Sequence, residues 1–371
     1  MKPIAILLLV CFVFVNQNIA QTAIKPKAAA PITVTAYYFG NAAEADSFAV
    51  EKLTHIIYSF GHLKGNRLSI DDAGDTATIQ KLVSLKSRNP SLKVLLSLGG
   101  WGGCQNCSPV FATEAGRKEF AQSVKELLEY FKADGIDLDW EYPVLPGYPE
   151  HPYSPDDKPN FTSLVQQLRS TLGKKAEITF AAGGFNRFLH ESIDWKKVMA
   201  VCDRVNLMTY DMVHGGSTRT GHHTPLYPTP SQSDAIDNAI RYFDTIGIPR
   251  NKLVIGAGFY ARLFDVQSTD NNGLYQPAKF KRGVPYKAFS RFISTDSGFV
   301  YYWDDIAKAP YAFNEKQKLY ATFDDTTSIR LKTEYTIEKK INGIMFWQLG
   351  EDKYSGGLLD AIDEARLKTR N

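Results

Sequence analysis

Eight short runs of β-branched and aromatic residues, separated by helical stretches, limit what this 371-residue chain can fold into more than any other feature. Such runs are typical of buried strands, and the stretches between them repeat apolar residues every three or four positions, as helices do. The strand-like runs cover residues 32–38, 55–60, 93–98, 136–141, 177–182, 204–210, 253–258 and 343–348. The clearest helical stretches cover residues 115–131, 161–172, 235–246, 328–339 and 358–367. This alternation predicts a parallel α/β fold.

Eight strand–helix units fit a closed (β/α)8 TIM barrel. A doubly wound open sheet is the alternative, but no glycine-rich dinucleotide fingerprint follows any of the runs. About seventy residues separate the seventh run from the helix at residue 328, and they include a strand-like segment at residues 299–303. We therefore expect a small α+β insertion after strand seven, approximately residues 263–322, within a barrel domain of residues 31–371.

The N-terminus has the features of a signal peptide, with Lys2 before an apolar run at residues 4–15 and the small residue Ala20 after it. The run is shorter than the ~20 residues that a membrane-spanning helix needs. We therefore expect residues 1–20 to be removed on secretion and residues 21–30 to form a flexible lead-in. The mature chain would be extracellular or periplasmic, without a membrane anchor.

Charge and cysteine usage narrow the range of partners. The formal net charge of +3 is nearly neutral for this length and argues against a nucleic acid held through its phosphates. Export makes a disulfide between Cys104 and Cys107 an expectation, whereas a zinc site would need a second ligand pair that the sequence does not contain. The adjacent His222 and His223 would point apart on an extended segment. We therefore predict no metal and no cofactor.

One strand carries three carboxylates. In residues 134–143, strand alternation places Asp137, Asp139 and Glu141 on one face and a bulky apolar set, including Trp140, on the other. Like charges stacked on a strand are unfavourable unless they are solvated, share protons or take part in chemistry. An exposed acidic edge strand is the alternative, but the apolar face requires burial. We therefore interpret this carboxylate ladder as functional.

Barrel active sites lie at the C-terminal ends of the strands. The residues near these ends are acids, tyrosines, an arginine and flat aromatic rings, namely Trp101, Glu141, Tyr210, Asp211, Tyr260, Arg262 and Trp347. Any one of the tryptophans alone would be interpreted as a core residue. At one mouth these residues suit a sugar polymer, because rings stack on pyranose faces and a carboxylic acid protonates the leaving oxygen.

Glu141 is the outermost carboxylate of the ladder and the best candidate for the acid. We expect Asp139 and Asp137 to raise the pKa of Glu141 by like-charge repulsion, which would keep it protonated near neutral pH. Carboxylates two residues apart on a strand are separated by ~6.6 Å, close to the spacing in inverting glycosidases. Because both groups come from one strand, this spacing does not decide the mechanism.

Several motifs together resemble family 18 glycoside hydrolases, the chitinases. The motifs occupy residues 97–100, 134–141, 208–211 and 256–264, and residues 302–305 and 310–311 resemble the interior of the family's insertion domain. The resemblance covers about residues 33–360. It implies a secreted chitinase that cleaves β-1,4 bonds between N-acetylglucosamine units.

The resemblance also implies substrate-assisted retention, which is an exception to the two-carboxylate scheme. Glu141 would act as acid and then as base, and Asp139 would orient the acetamido group of the substrate. Asp137 would share a proton with Asp139, and Tyr210 would hold the acetamido oxygen. The implied substrate-binding residues are Tyr37, Phe60, Gly100, Trp101, Tyr142, Met208, Asp211, Tyr260, Arg262 and Trp347.

Two other functions are alternatives. A chitin-binding lectin on the same fold would typically lack the glutamate at the position of Glu141, which is present here. An endo-N-acetylglucosaminidase acting on N-glycans is disfavoured by the insertion, because a walled groove suits a linear polymer. We expect a monomer that binds chitin or chitooligosaccharides.

Overall fold

A computed structural model describes residues 32–368, so the predicted signal peptide and lead-in lie outside the described residues. The strands are β1 (Thr33–Tyr38), β2 (His55–Lys64), β3 (Arg67–Ser69), β4 (Lys93–Gly99), β5 (Gly135–Asp139), β6 (Glu177–Gly183), β7 (Arg204–Met208), β8 (Leu253–Gly258), β9 (Tyr260–Val266), β10 (Ala278–Pro285), β11 (Val300–Asp304), β12 (Ala309–Asn314), β13 (Leu319–Thr322) and β14 (Gly343–Trp347). The α-helices are α1 (Ala42–Ala45), α2 (Ala73–Ser84), α3 (Cys107–Phe111), α4 (Glu114–Phe131), α5 (Asp157–Leu172), α6 (Asn186–Glu191), α7 (Trp195–Met199), α8 (Ile236–Ile246), α9 (Phe289–Phe292), α10 (Thr326–Glu338) and α11 (Leu358–Lys368). None of these helices is long and apolar enough to cross a membrane.

Eight of the strands form a closed parallel barrel. Their hydrogen-bonded order is β1-β14-β8-β7-β6-β5-β4-β2, and the parallel pairing of β1 with β2 closes the ring. Each barrel strand lies where the sequence predicts one, and the five predicted helices correspond to α4, α5, α8, α10 and α11. The TIM-barrel fold class is therefore confirmed.

Two barrel strands that carry predicted site residues end earlier than the sequence suggests. β5 ends at Asp139 and β7 ends at Met208, so Glu141 and Tyr210 lie just beyond the regular strands. The backbone oxygen of Asp139 accepts a hydrogen bond of 2.8 Å from the backbone N–H of Gly100, in the loop after β4. The upper end of the ladder therefore leaves the sheet at its C-terminal edge, where the β-to-α loops begin.

The two faces of β5 divide as strand alternation predicts. Ile136 and Leu138 are buried in the layer between the sheet and the helices, and Trp140 continues this face. The Trp140 ring lies 5.6 Å from the ring of Phe111 in α3 and 6.2 Å from that of Phe161 in α5. Because this packing buries the apolar face against helices, the carboxylates of β5 face the interior of the barrel.

The segment of the chain between β8 and α10 forms a second sheet, in which all strand pairs are antiparallel. Its order is β10-β9-β13-β12-β11, and the short helix α9 precedes β11. Only Phe259 separates β8 from β9, so the sheet starts directly at the C-terminal edge of the barrel. This sheet is the small α+β insertion after the seventh barrel strand. β9 begins at Tyr260, ahead of residue 263, and the exact domain limits stay a prediction.

A buried ion pair lies where the insertion meets the barrel. Lys332 of α10 and Asp324 are both fully buried, and Lys332 Nζ lies 2.5 and 2.7 Å from the two carboxylate oxygens. Nζ also donates to the backbone oxygen of Thr224 at 2.7 Å, and Asp324 accepts from the backbone N–H of Gly258 at 3.3 Å. The pair therefore joins α10, the loop after β7 and the end of β8.

We expect Lys332→Met to lower the free energy of unfolding by about 3–5 kcal/mol, because it leaves Asp324 as an uncompensated buried charge. Adding Asp324→Asn should recover part of this loss, since no buried charge then remains. Urea denaturation followed by circular dichroism measures both changes. As a control, Lys118→Met removes an exposed pair with Glu114, and such pairs contribute ~1 kcal/mol or less. Equal effects of the two lysine substitutions would contradict the role given to the buried pair.

Candidate active site

Asp137 lies at the bottom of the site, in the interior of the barrel, and is fully buried. Its Oδ1 accepts hydrogen bonds from Thr179 Oγ1 at 2.5 Å and Asn206 Nδ2 at 3.1 Å. Its Oδ2 accepts from Ser97 Oγ and from the Tyr37 hydroxyl, both at 3.0 Å. Burial raises the pKa of Asp137, and these four donors oppose the shift. They fix the carboxylate in one orientation.

Asp139 is the next carboxylate along the ladder. It is buried, and its Oδ1 has no hydrogen-bond partner among residues 32–368. Burial raises the pKa of Asp139 well above its usual value, and the charges of Glu141 and Asp137 raise it further. This shift favours the protonated form of Asp139, and because Oδ1 is itself shielded from solvent, a ligand reaches it only if the side chain turns.

Glu141 stands at the mouth of the barrel and is half-buried. Burial raises the pKa of Glu141 to about 7, a hydrogen bond with Tyr142 opposes the shift, and the negative charge of Asp211 adds to it. The direction agrees with the sequence-based expectation, but the cause differs, because repulsion within the ladder acts on the pKa of Asp139. A carboxyl group with a pKa near 7 can donate a proton and later accept one.

Tyr210 and Met208 line the interior beside the ladder, within an inner cluster that also contains Tyr37. Tyr210 is only 9% exposed, and its ring meets that of Tyr260 edge-on at 6.3 Å. Burial and the neighbouring carboxylates, Asp139 foremost, raise the pKa of Tyr210 well above its usual value. The hydroxyl therefore stays protonated and can donate a hydrogen bond.

Asp211 is the centre of a second, ionised cluster at the mouth. Its carboxylate accepts two hydrogen bonds from the Arg262 guanidinium and one of 2.8 Å from the Tyr260 hydroxyl. The fully buried His223 lies behind it, with Nδ1 3.5 Å from Asp211 Oδ1. Burial alone would raise the pKa of Asp211, but interactions with His223 and Arg262 outweigh it and hold the pKa well below its usual range. Asp211 therefore carries the charge that acts on Glu141.

Trp347 is the centre of an aromatic surface. Phe60 stacks on it, with ring centroids 5.6 Å apart and planes inclined by 12°. Tyr37 and Phe39 lie 6.0 and 6.4 Å from it. Gly100 leaves room for Phe60, because its φ is +78° and a Cβ there would lie 2.3 Å from the phenylalanine ring. The absence of a side chain at Gly100 therefore allows Phe60 to stack on Trp347.

A groove of about 840 Å³ extends outward from Phe60 and Trp347. Trp101 and Tyr148, 58% and 43% exposed, meet edge-on at 5.8 Å and form its outer part. The titratable side chains that line it are Glu150, Tyr148 and two histidines, and no lysine or arginine is among its lining residues. Aromatic faces without a cation suit a neutral polymer with flat apolar faces.

The structure brings the sequence-predicted residues to one mouth in three adjoining groups, because Tyr210 contacts Tyr260 and Tyr37 contacts Trp347. The inner group is Asp137, Asp139, Glu141, Tyr37, Met208 and Tyr210; the ionised group is Asp211, Tyr260 and Arg262; the groove group is Phe60, Gly100, Trp101 and Trp347. Tyr142 links the inner group to the groove group, because it is hydrogen-bonded to Glu141 and its ring lies 6.4 Å from the ring of Trp101.

The loop after β4 is closed by a disulfide between Cys104 and Cys107. Across residues 32–368, no three histidine, cysteine, aspartate or glutamate side chains come together in a way that could hold a metal ion. His222 and His223 contact different carboxylates, so they do not form a ligand pair.

Sequence reasoning missed the residues that hold Asp137. Ser97 and Thr179 lie on β4 and β6, the two strands that flank β5, and Asn206 lies on β7, one strand further along; all three side chains reach Asp137 inside the barrel. A signal for Asn206 was available, because it precedes Met208 by two residues on the same strand and so shares its face. The pairing of these strands brings all three donors to one carboxylate.

A barrel mouth that combines a carboxylate ladder with a cation-free aromatic groove is typical of enzymes that cleave glycosidic bonds. Residues 34–352 match the model of the family described as Glycosyl hydrolases family 18. The chain belongs to this family.

Its relatives include proteins named for activity on chitin. Chitinase A1 of Niallia circulans is 34% identical over 76% of this chain and 44% of its own length, and chitotriosidase-1 of Mus musculus is 31% identical over 82% and 68%. The chain thus spans less than half of the first relative's length. A solved family 18 N-acetylglucosaminidase of Paenibacillus barengoltzii superimposes with a TM-score of 0.81 and 35% identity, covering 90% of this chain and 99% of that one.

We expect Asp211→Asn to lower the pKa of Glu141 below its value of about 7, because the substitution removes a negative charge that favours the protonated form. A carbon-13 NMR titration of the glutamate carboxyl groups measures this shift without turnover. The control Asp265→Asn changes an exposed carboxylate of β9 paired with Lys281 and should leave the Glu141 titration unchanged. An unchanged or higher pKa in Asp211→Asn would show that the charge does not act on Glu141.

Proposed function

We propose that the chain is a secreted chitinase that hydrolyses β-1,4 bonds of N-acetylglucosamine polymers and oligomers by substrate-assisted retention. The observation that carries this proposal is the ladder, in which Asp139, with a raised pKa and an unpaired oxygen, lies next to a Glu141 whose pKa is about 7. The relatives named chitinase and chitotriosidase support the substrate. Secretion rests on the signal peptide predicted at residues 1–20.

The first half of the reaction uses Glu141 as an acid. Its carboxyl group donates a proton to the glycosidic oxygen while the acetamido oxygen of the substrate attacks the anomeric carbon. The bond to the leaving sugar breaks, and a cyclic oxazolinium ion forms. Tyr210, whose hydroxyl stays protonated, donates to the acetamido oxygen and holds it in line with the anomeric carbon.

Asp139 stabilises this intermediate from the side of the acetamido nitrogen. The Asp139 side chain turns so that its unpaired Oδ1, which is buried in the free protein, accepts the N–H of the substrate, and a proton shared with Asp137 moves toward Asp137 as positive charge develops. Burial raises the pKa of Asp137 and so favours its acceptance of this proton, whereas its four donors favour the charged form, and one of their hydrogen bonds must give way. In the second half, Glu141 accepts a proton from water, which attacks the anomeric carbon from the face that the leaving sugar vacated. The configuration is therefore retained.

The groove supports a polymeric substrate. Its volume of about 840 Å³ exceeds the space that a single sugar requires, and Trp347, Phe60 and Trp101 offer flat faces along it. The absence of lysine and arginine from its lining fits a neutral chain better than an anionic one. Sugars would therefore extend from the ladder along the side formed by β1, β2 and the loops after β4 and β5.

We expect the mature protein to cleave N-acetylglucosamine hexamer and to release products that are first in the β-anomeric form, because the acetamido mechanism retains configuration. Anomer-resolved chromatography of the earliest products measures this. Glu141→Gln should lower kcat by at least about 100-fold and still bind the hexamer, since it removes only the general acid and base. Glu150→Gln removes a groove carboxylate of the same type and should keep kcat.

Other results would replace the proposal. Normal cleavage by Glu141→Gln would make the assignment of the acid wrong. Binding without cleavage by the unaltered protein would favour a chitin-binding lectin. Neither binding nor cleavage would direct attention to an endo-N-acetylglucosaminidase acting on N-glycans. Initial α-anomers would exclude the substrate-assisted route.

We expect kcat/KM on a soluble oligomer to fall as the pH rises through about 7, because Glu141 loses the proton that it must donate. The sign follows from its role, since only the protonated form starts the reaction. Initial rates between pH 5 and 9 at low substrate concentration give this profile. A flat profile across neutral pH would contradict the role of Glu141 as the acid of the free enzyme.

A further inference from the structure

The insertion sheet carries a second cavity, of about 540 Å³, which we call the tip cavity. It is formed by the turn Asp270–Gly273, residues 296–300, the end of β12 and the turn between β12 and β13, together with Tyr302 of β11. No residue that lines it also lines the groove at the barrel mouth. The mechanism proposed above uses none of these residues.

The pairing of the strands places this cavity far from the barrel. β9 leaves the barrel at Tyr260, and Arg262 near its start pairs with Thr322 of β13. Asp265 near its end pairs with Leu319, the first residue of β13, so the turn before β13 lies at the outer end of the sheet. Seven residues of strand span roughly 20 Å. A ligand in the tip cavity would therefore occupy a site separate from the ladder.

The side chains at the tip cavity combine an aromatic ring with unused hydrogen-bonding groups. The ring of Tyr302 is partly exposed and is held by stacking on Tyr311, with centroids 5.2 Å apart and planes inclined by 19°. The side chains of Thr269 and Gln317 and the Tyr302 hydroxyl make no hydrogen bond to another residue in 32–368, and Gln317 bonds through its backbone N–H to Asn314 Oδ1 at 3.0 Å. An aromatic face beside free donors and acceptors matches a pyranose, which has an apolar face and a polar edge.

The charges at the tip cavity indicate a neutral ligand. Its charged side chains are Asp296, Glu315 and Lys316, so neither sign is present in a concentrated group. A phosphate or sulfate ligand would need convergent cations, and Lys316 is the one lysine or arginine among the lining residues.

The walls of the tip cavity are held in place without a ligand. Gly273 and Gly298 have φ values of +75° and +86°, and side chains there would meet Phe313 at 2.7 Å and Asn314 at 2.9 Å. Asn314 Nδ2 also donates to the backbone oxygen of Ser297 at 2.8 Å, which ties two sides of the cavity together. A site that is already shaped loses less conformational entropy on binding.

We propose that the tip cavity binds an N-acetylated pyranose unit of the same polymer and holds the protein on insoluble substrate without cleaving it. The sugar stacks on Tyr302, and Gln317 and Thr269 bind its hydroxyl or acetamido groups. The identity of this ligand rests on the proposed function, because the polymer cleaved at the barrel mouth would also surround the tip cavity while the protein is bound to it.

Calorimetric titration of the full chain carrying Glu141→Gln with N-acetylglucosamine trimer tests the proposal, because no turnover interferes. We expect two binding events per chain. Tyr302→Ala should weaken one of them about tenfold through loss of the stacked ring. Gln317→Ala, which leaves the aromatic layer intact, should weaken the same event. The control Tyr130→Ala removes a tyrosine that is 66% exposed on α4 and should change neither.

A second comparison uses Tyr302→Ala in the chain with Glu141 intact. It should cleave the soluble hexamer at the unaltered rate but show a lower bound fraction on particulate chitin. A single binding event, unchanged by both tip substitutions, would overturn the proposal. Failure of the unaltered protein to cleave hexamer would instead overturn the proposed function, and the titration would still decide whether the tip cavity binds the sugar.

Discussion

The burial of two aspartates from one strand inside the barrel is the constraint on which the rest of the site depends. Asp137 tolerates this position because donors from four other barrel strands, β1, β4, β6 and β7, satisfy both of its oxygens. Those donors require the closed barrel, since no single strand could supply them. Asp139 has no such set, and its unpaired Oδ1 and raised pKa follow from that difference. A barrel of the same shape with only apolar residues on β5 would have a packed core but no carboxyl group in its interior to exchange protons.

The ionised Asp211 cluster complements this arrangement. Arg262 and Tyr260 come from β9, the first strand of the insertion, whereas Asp211 follows β7. β9 therefore supplies Arg262 and the Tyr260 hydroxyl to Asp211, and His223 together with Arg262 keeps this carboxylate charged near Glu141. The mouth consequently contains one carboxylate that stays charged and one that titrates near neutral pH, and this difference comes from their partners rather than from their chemistry.

The aromatic residues divide between packing and exposure in a way that the barrel decides. Trp140 and Trp347 both lie at the ends of barrel strands, yet Trp140 packs among helices while Trp347 faces the mouth. Trp140 faces the helices because side chains alternate between the two faces of a strand. Stacking on Phe60 fixes the orientation of the Trp347 ring. Phe39 and Tyr148 join the groove through loops, and no periodic pattern marks them in the sequence.

The sequence by itself determined the order of strands and helices and the alternation that turns Asp137 and Asp139 away from Trp140, and it favoured a closed barrel over an open sheet. These features follow from local periodicity, which acts over a few residues. Only the tertiary structure decided that the ladder leaves the sheet at Asp139, that Asn206 reaches Asp137, and that His223 lies behind Asp211. It also decided that burial, more than repulsion within the ladder, raises the pKa of Glu141. The physical reason is that desolvation and hydrogen bonding depend on groups brought together from distant parts of the chain, which periodicity along one segment does not encode.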